Sequence, residues 1–131
     1  TSGAKTTTQY ASCEALNGSM DEVNKMKKAF KERRDTAVEL IKKIKNVTCV
    51  VPQGAFYIMI NVSKFYGKSY KGKKISSSMD FASVMLDEAL VAVIPGGAFG
   101  APEYVRMSYA VSMEHIKEGI SRINEFTQQC V

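Results

Sequence analysis

One arginine lies in a strand-like segment near the end of the chain. Residues 103–110 read EYVRMSYA, in which apolar residues alternate with Arg106 and Ser108. An alternation of period two is typical of a half-buried strand, so both residues share its polar face. A planar guanidinium there could bind a carboxylate or a phosphate through two parallel charge-assisted hydrogen bonds. Since arginines are mostly exposed, the spacing alone favours an ordinary surface arginine.

A glycine-rich stretch, PGGAFG at residues 95–100, invites comparison with a phosphate-binding loop. That chemistry requires a helix N-terminus directly after the glycines, whose free amides then meet the anion. Here the next predicted element is the strand at residues 104–111. We therefore predict a tight turn between two strands, in which Gly96, Gly97 and Gly100 permit positive φ.

Nucleophilic catalysis has little support in the sequence. Lys64, which follows Ser63, begins a polar lysine-rich loop, where hydration would keep its amine protonated. The sequence contains no G-x-S-x-G motif, and its one histidine, His115, is expected in the first turn of a surface helix. Neither a lysine nucleophile nor a serine hydrolase site is predicted.

The three cysteines, Cys13, Cys49 and Cys130, are far apart and odd in number. A zinc site needs three or four closely spaced cysteine or histidine ligands, so we predict no metal site. We interpret the cysteines as reduced thiols, which fits a cytoplasmic protein.

The composition is typical of one compact globular domain. The 131 residues are 45% hydrophobic and 24% charged, and the net charge is +5. Residues 64–74, KFYGKSYKGKK, interleave tyrosines with lysines and could imitate a nucleic-acid patch. Without a known binding motif a solvated loop is favoured, so no nucleic-acid partner is predicted. Neither a signal peptide nor an apolar run of membrane-spanning length is found, and no membrane partner is predicted.

Helical periodicity dominates both ends of the chain. A short helix at 6–16 is predicted to stop at a left-handed Gly18, and Ser19 and Glu22 have the form of a capping box for the next helix. That helix runs to about Lys45, and its apolar stripe weakens near Arg33. It is long for a small domain, and we expect it to reach past the core.

The other elements are inferred from β-branched runs and caps. They are strands at 47–51, 55–62 and 91–94, a polar loop or irregular hairpin at 63–75, a helix at 79–90 capped by Ser77 or Ser78 with Leu86 on its inner face, and a last helix capped by Ser112. The order predicts an α+β fold, a small and mostly antiparallel sheet with helices on one side.

The whole chain resembles the C-terminal part of class I aminotransferases of the aspartate aminotransferase family. The resemblance rests on TSGAKTTTQYASCEAL, on VPQGAFYIMINVSKFYG and on VAVIPGGAFGAPEYVRMSYAVS, in this order. It implies the small domain of a fold-type I transferase that uses pyridoxal 5'-phosphate. Residues 1–45 would enter and form the interdomain helix, and residues 46–131 would form the small domain.

The resemblance also implies roles for particular residues. Arg106 occupies the position that binds the α-carboxylate of the substrate, and the fork of an arginine suits that task. Phe56 would lie near the domain boundary, and Ser2 belongs to a segment that approaches the partner subunit's active site; both are weaker candidates. Amino acids, 2-oxo acids, a large domain and a second subunit are the implied partners.

One departure from the family pattern bears on mechanism. The lysine that holds the cofactor covalently lies in the family's large domain, and Ser63-Lys64 lacks the arginine that follows it there. We expect this chain to bind the cofactor weakly and to be inactive alone. The leading interpretation is an aspartate aminotransferase domain. An aromatic or kynurenine-type aminotransferase and a non-catalytic binding module remain alternatives.

Overall fold

Among residues 3–131, which the computed structural model describes, four α-helices and six strands form a mixed α+β fold. The helices are α1 (Thr6–Asn17), α2 (Asp21–Lys42), α3 (Ser78–Ala89) and α4 (Met113–Gln128). The strands are β1 (Thr48–Cys49), β2 (Tyr57–Asn61), β3 (Ser69–Tyr70), β4 (Lys73–Lys74), β5 (Ile94–Pro95) and β6 (Tyr104–Ser108). Single 3₁₀ turns lie at Ser63–Phe65 and Gly96–Phe99. The predicted fold class is confirmed.

The main sheet has the order β1-β2-β6-β5, and every neighbouring pair is antiparallel. β6 is therefore a central strand, with β2 on one side and β5 on the other. Strands β3 and β4 form a separate two-stranded hairpin, which confirms the irregular hairpin predicted for residues 63–75.

The two faces of the sheet differ in burial because successive side chains point to opposite sides. Ile58, Ile60, Val105 and Met107 are buried and join the apolar faces of α2, α3 and α4 in one core. The alternate positions of β2 and β6 are half-buried or exposed. One face thus supports the sheet, and the other presents its polar residues.

Aromatic packing connects the hairpin with the last two helices. The ring of Phe126 on α4 stacks on the ring of Tyr70, with centroids 4.5 Å apart, and packs edge to face with Phe81 at a centroid distance of 5.4 Å. The centroid of the Phe65 ring lies 5.7 Å from that of Phe81. Each ring is at most 4% exposed, so each contributes about 2 kcal/mol of burial. The hairpin is consequently part of the core although its tip is polar.

Helix α2 extends beyond the core, as predicted. Its 22 residues span about 33 Å. Ala37, Val38 and Ile41 in its C-terminal half are buried, whereas Val23 and Met26 are 44% and 55% exposed. No helix of residues 3–131 is at once long enough and apolar enough to cross a bilayer.

Two predicted caps on the first helices are wrong. Gly18 ends α1 in an extended conformation (φ −77°, ψ −177°), and its amide donates to the Glu14 carbonyl. Ser19 accepts a hydrogen bond from the Asp21 amide, and Glu22 pairs with Lys25 instead of reaching back. A local serine turn therefore replaces the capping box.

The caps of the last two helices are confirmed. Ser77 accepts from the Asp80 amide and Ser112 from the His115 amide. The prediction that Leu86 faces inward is wrong, since it is 51% exposed. Strands are shorter than predicted because turns interrupt them; at the end of β6, the Ala110 amide donates to the Ser108 hydroxyl.

Candidate functional site

Arg106 lies at the centre of the open sheet face. It is in register with Met59 on β2 and with Ile94 on β5. Its neighbours along the strand, Val105 and Met107, are buried, so the pleat directs Arg106 away from the core. The side chain is half-buried. A rigid, paired strand therefore carries the one arginine of the sheet.

Two aromatic rings lie beside the guanidinium of Arg106. Its Cζ atom is 4.9 Å from the ring centroid of Tyr57 and 4.4 Å from that of Phe99. Both distances are within the range of cation–π attraction. Tyr57 belongs to β2, whereas Phe99 belongs to the 3₁₀ turn after β5, so the rings come from opposite sides of β6.

The charge of Arg106 has no acidic neighbour among residues 3–131. Within that part of the chain, the arginine forms no ion pair, and its guanidinium makes no side-chain hydrogen bond. Arg34 differs, because it donates to Asp35 and to the Pro52 carbonyl. Arg122 likewise pairs with Glu118 and lies 3.5 Å from the Leu90 carbonyl. The donors of Arg106 are thus free to bind an external acceptor.

The end of β6 is tied to the turn that precedes β2. The Phe56 carbonyl accepts from the Tyr109 amide at 2.8 Å and from the Ser108 hydroxyl at 3.3 Å. The Tyr109 hydroxyl donates to the Ala55 carbonyl at 2.6 Å. Ser108, predicted to share the polar face with Arg106, is exposed and fixes the local backbone.

Phe56 connects this turn to the long helix. Its ring is 53% exposed and lies 4.7 Å from the ring of Phe30 on α2. Together with Val23, Met26 and Tyr109, the two phenylalanines line an open apolar groove of about 600 Å³. Phe56 therefore lies between α2 and β2, and the rings beside Arg106 in the described residues are those of Tyr57 and Phe99.

The glycine-rich stretch is a 3₁₀ turn, and the predicted use of its three glycines is only partly right. Gly100 has positive φ (71°), but Gly96 and Gly97 do not. Gly96 is required for close packing, since a Cβ atom there would lie under 3.0 Å from the backbone oxygens of Ala101 and Tyr104. This compact turn positions Phe99 beside Arg106.

A tyrosine anchors the loop that leads into β6. The Tyr66 hydroxyl donates to the Pro102 carbonyl. Burial is the main cause that raises the pKa of Tyr66 above its ordinary value of 10.0. The phenol therefore remains protonated and able to donate throughout the neutral range.

The remaining candidates lie away from this face or have no catalytic setting. Lys64 and His115 are exposed. Cys13, Cys49 and Cys130 are free thiols. No cluster of metal-ligating residues is found in the described part of the chain. Ser2 lies outside the described residues.

The sequence did not point to Tyr57 and Phe99. Period-two alternation on β2 puts Tyr57 on the face that also bears Arg106, so pairing of β2 with β6 would have indicated its proximity. No comparable signal exists for Phe99, whose position depends on the compact 3₁₀ turn. The assembled site is a half-buried guanidinium flanked by two rings.

The chain matches the family model described as "Aminotransferase class I and II" over residues 1–123. It is 43% identical over 124 residues to a probable aspartate/prephenate aminotransferase of Rickettsia felis, covering 94% of this chain and 30% of the relative. It is 44% identical to an aspartate aminotransferase of Bacillus sp. strain YM-2, covering 98% and 32%. The chain thus spans about a third of the curated relatives it matches.

Solved structures show the same similarity. The aspartate aminotransferase of Rhizobium meliloti superposes with a TM-score of 0.89 at 38% identity, covering 94% of this chain and 31% of that chain. An aromatic aminotransferase of Pyrococcus horikoshii superposes with a TM-score of 0.79 at 33% identity, covering 92% and 31%.

Proposed function

Because the chain belongs to the class I and II aminotransferases, we propose that it is the C-terminal small domain and linker helix of a pyridoxal 5'-phosphate-dependent aminotransferase. The parent enzyme transfers the amino group of an amino acid, aspartate in our proposal, to a 2-oxo acid. Residues 1–45 lead into and form the interdomain helix, and residues 46–131 form the small domain. The names of the curated relatives support the choice of aspartate.

Arg106 is the residue that we propose binds the substrate's α-carboxylate. The supporting observation is a guanidinium without an ion pair among residues 3–131, at the centre of the open sheet face on a strand with partners on both sides. Two parallel charge-assisted hydrogen bonds from the fork would fix both the position and the orientation of the amino acid. Lysine could supply the charge without that orientation.

The cofactor would be held by parts of the parent enzyme other than the described residues. When bound, pyridoxal phosphate supplies the electron sink for chemistry at the amino acid's α-carbon. A lysine that bonds it needs desolvation or a nearby cation to lower its pKa, whereas no lysine of residues 3–131 is buried. The 131-residue chain alone should therefore neither retain the cofactor nor transaminate.

The proposed partners follow from the same assignment. They are the amino acid and 2-oxo acid substrates, the enzyme's own large domain and a second subunit; nucleic acid and membrane are not among them. We propose a cytoplasmic location. An aromatic amino acid is the second candidate donor, favoured by the similarity to the Pyrococcus horikoshii enzyme.

Replacement of Arg106 in the full-length protein tests this proposal. We expect Arg106→Ala to raise the KM for aspartate about 100-fold or more, since a charge-assisted bidentate contact is lost. Arg106→Lys should recover only part of that loss. The control is Arg33→Lys, which alters a half-buried arginine that lies over one ring, Phe30, on α2.

Unchanged donor affinity and turnover in Arg106→Ala would refute the carboxylate-binding role. A comparison of aspartate with phenylalanine and tyrosine as donors would distinguish the two candidate substrate classes.

A further inference from the structure

We propose that Tyr57 and Phe99 are positioning residues, which orient the Arg106 guanidinium so that its N–H fork is presented to a carboxylate. This inference rests on the proposed function of Arg106 and adds to it the means by which an otherwise unpaired charge is held in one orientation. The juxtaposition that carries it is one guanidinium within 4.9 Å and 4.4 Å of two ring centroids.

The sheet topology makes the two contacts complementary. Because β6 lies between β2 and β5, Tyr57 reaches Arg106 from one side of the strand and the turn after β5 brings Phe99 from the other. Tyr57 is in register with Ser108, which makes it a diagonal neighbour of Arg106 across the strand pair. Such diagonal pairs are within reach of aromatic and long side chains.

Stacking and hydrogen bonding use different parts of a guanidinium. An aromatic ring attracts its planar face, whereas all five N–H donors lie in the plane. A ring that packs on that face restricts rotation of the side chain without competing for the donors. An acidic neighbour would also hold the arginine, but it would occupy the fork that the substrate needs.

Partial exposure is consistent with this role. Tyr57 and Phe99 are 43% and 51% exposed, which is high for large apolar side chains whose function is core packing. Their contribution to folding is correspondingly small, and their removal should leave the sheet intact. Exposed rings beside a polar site also limit the water that reaches the guanidinium, which strengthens its attraction for an anion.

The test compares ring-removing with ring-retaining variants of the full-length protein. Tyr57→Leu and Phe99→Leu should each raise the KM for aspartate and the Ki for the dicarboxylate maleate about fivefold, with kcat little changed. The double variant should raise both about 20-fold. Tyr57→Phe and Phe99→Tyr retain the rings and should stay within about twofold of the parent protein.

Combining the leucine substitutions with a change at Arg106 distinguishes an orienting role of the two rings from general structural support. In an Arg106→Lys background, which has no fork to orient, the same leucine substitutions should change the Ki for maleate less than about twofold. The matched control is Met59→Leu, which alters an aliphatic neighbour in register with Arg106.

The outcomes distinguish this inference from the proposed function. If Arg106→Ala weakens maleate binding but the leucine variants do not, the positioning role is refuted and the clamp stands. If the leucine variants act equally in both backgrounds, or the ring-retaining variants fail as badly, the rings have only a structural role. Unchanged maleate binding in Arg106→Ala overturns both proposals.

Discussion

Two cationic regions of this domain differ in what surrounds their charges. Lys71 and Lys73 in the β3–β4 hairpin both reach Glu88 at the end of α3, at 3.3 Å and 2.8 Å between nitrogen and oxygen. Arg106 instead has two rings and no acid within ion-pair distance among residues 3–131. The charges of Lys71 and Lys73 are thus paired within the fold, whereas Arg106 has no ion pair among the described residues.

The difference shows why lysine-rich sequence is a weak indicator of binding. The hairpin has a higher density of positive charge than the sheet around Arg106. Two of its lysines, Lys71 and Lys73, nevertheless pair with Glu88 of α3 and so connect the polar tip of the hairpin to that helix. Exposed ion pairs of this kind contribute little and are screened by salt. Arg106 is the stronger candidate because a paired strand fixes its backbone and its guanidinium makes no side-chain hydrogen bond within residues 3–131. We retain the prediction that the hairpin does not bind nucleic acid.

Gly96→Ala should disrupt the region around Arg106 and have the largest effect on folding. A Cβ atom would lie under 3.0 Å from the backbone oxygens of Ala101 and Tyr104, and backbone cannot yield as a flexible side chain can. We expect a loss of about 3 kcal/mol in the free energy of unfolding, measured by urea denaturation. The turn that carries Phe99 should be displaced as well.

Gly97→Ala is the matched control for that experiment. Within 4 Å, and apart from its chain neighbours, an added Cβ would meet among the described residues only the Ser78 hydroxyl oxygen at 3.9 Å, an ordinary contact distance. We expect a change below about 0.5 kcal/mol at this position. Equal losses from the two substitutions would show that close packing at Gly96 is not what fixes the turn.

Sequence patterns predicted the elements better than their ends. The α+β class, the caps at Ser77 and Ser112 and the outward position of Arg106 follow from local signals: alternation, cap chemistry and helical periodicity. Gly18 illustrates where such signals fail. Asn-Gly commonly ends a helix in a left-handed conformation, but here the glycine permits close approach to Glu14 in an extended one.

The sequence predicted the central residue of the candidate site, Arg106, but not the two rings beside it. Arg106 was found by alternation together with a family resemblance, and its carboxylate-binding role is still a prediction. The contact with Phe99 depends on how Gly96–Phe99 coils after an edge strand, and the contact with Tyr57 on pairing between distant strands. Single-sequence patterns carry no information about such long-range geometry.

Ser77→Ala should weaken both regions to a smaller extent, because α3 supports both. The helix packs against β5 and the turn beside Arg106, and its far end carries Glu88. The Ser77 hydroxyl accepts from the Asp80 amide at 3.1 Å. Loss of this cap should reduce the free energy of unfolding by about 1 kcal/mol, measured by urea denaturation.

Ser76→Ala provides the control at the adjacent position. The Ser76 backbone amide donates to the Asp80 carboxylate, and this bond survives the substitution because it does not involve the hydroxyl. We expect the control to match the parent protein. A loss as large as that of Ser77→Ala would show that the effect does not come from the Ser77 cap.

Glu88→Gln tests the hairpin side and should have the smallest effect. Hydrogen bonds from Lys73, and then from Lys71, hold the pKa of Glu88 below its ordinary value of 4.5. A carboxyl with a lowered folded-state pKa stabilises the fold above its unfolded pKa, and that contribution disappears as the pH falls through the folded value. The parent protein should therefore lose stability below about pH 4.5 more steeply than Glu88→Gln does.

Salt provides an independent check on the same pair of proteins. Because the three side chains are partly exposed, about 1 M NaCl should largely remove the stability difference between them at pH 7. Glu32→Gln, at an exposed position on α2 without an ion pair among the described residues, should show neither effect. A Glu88 contribution that is unchanged by both acid and salt would mean that the carboxylate acts through packing. The hairpin lysines would then be unpaired in solution, like Arg106, and the contrast between the two regions would fail.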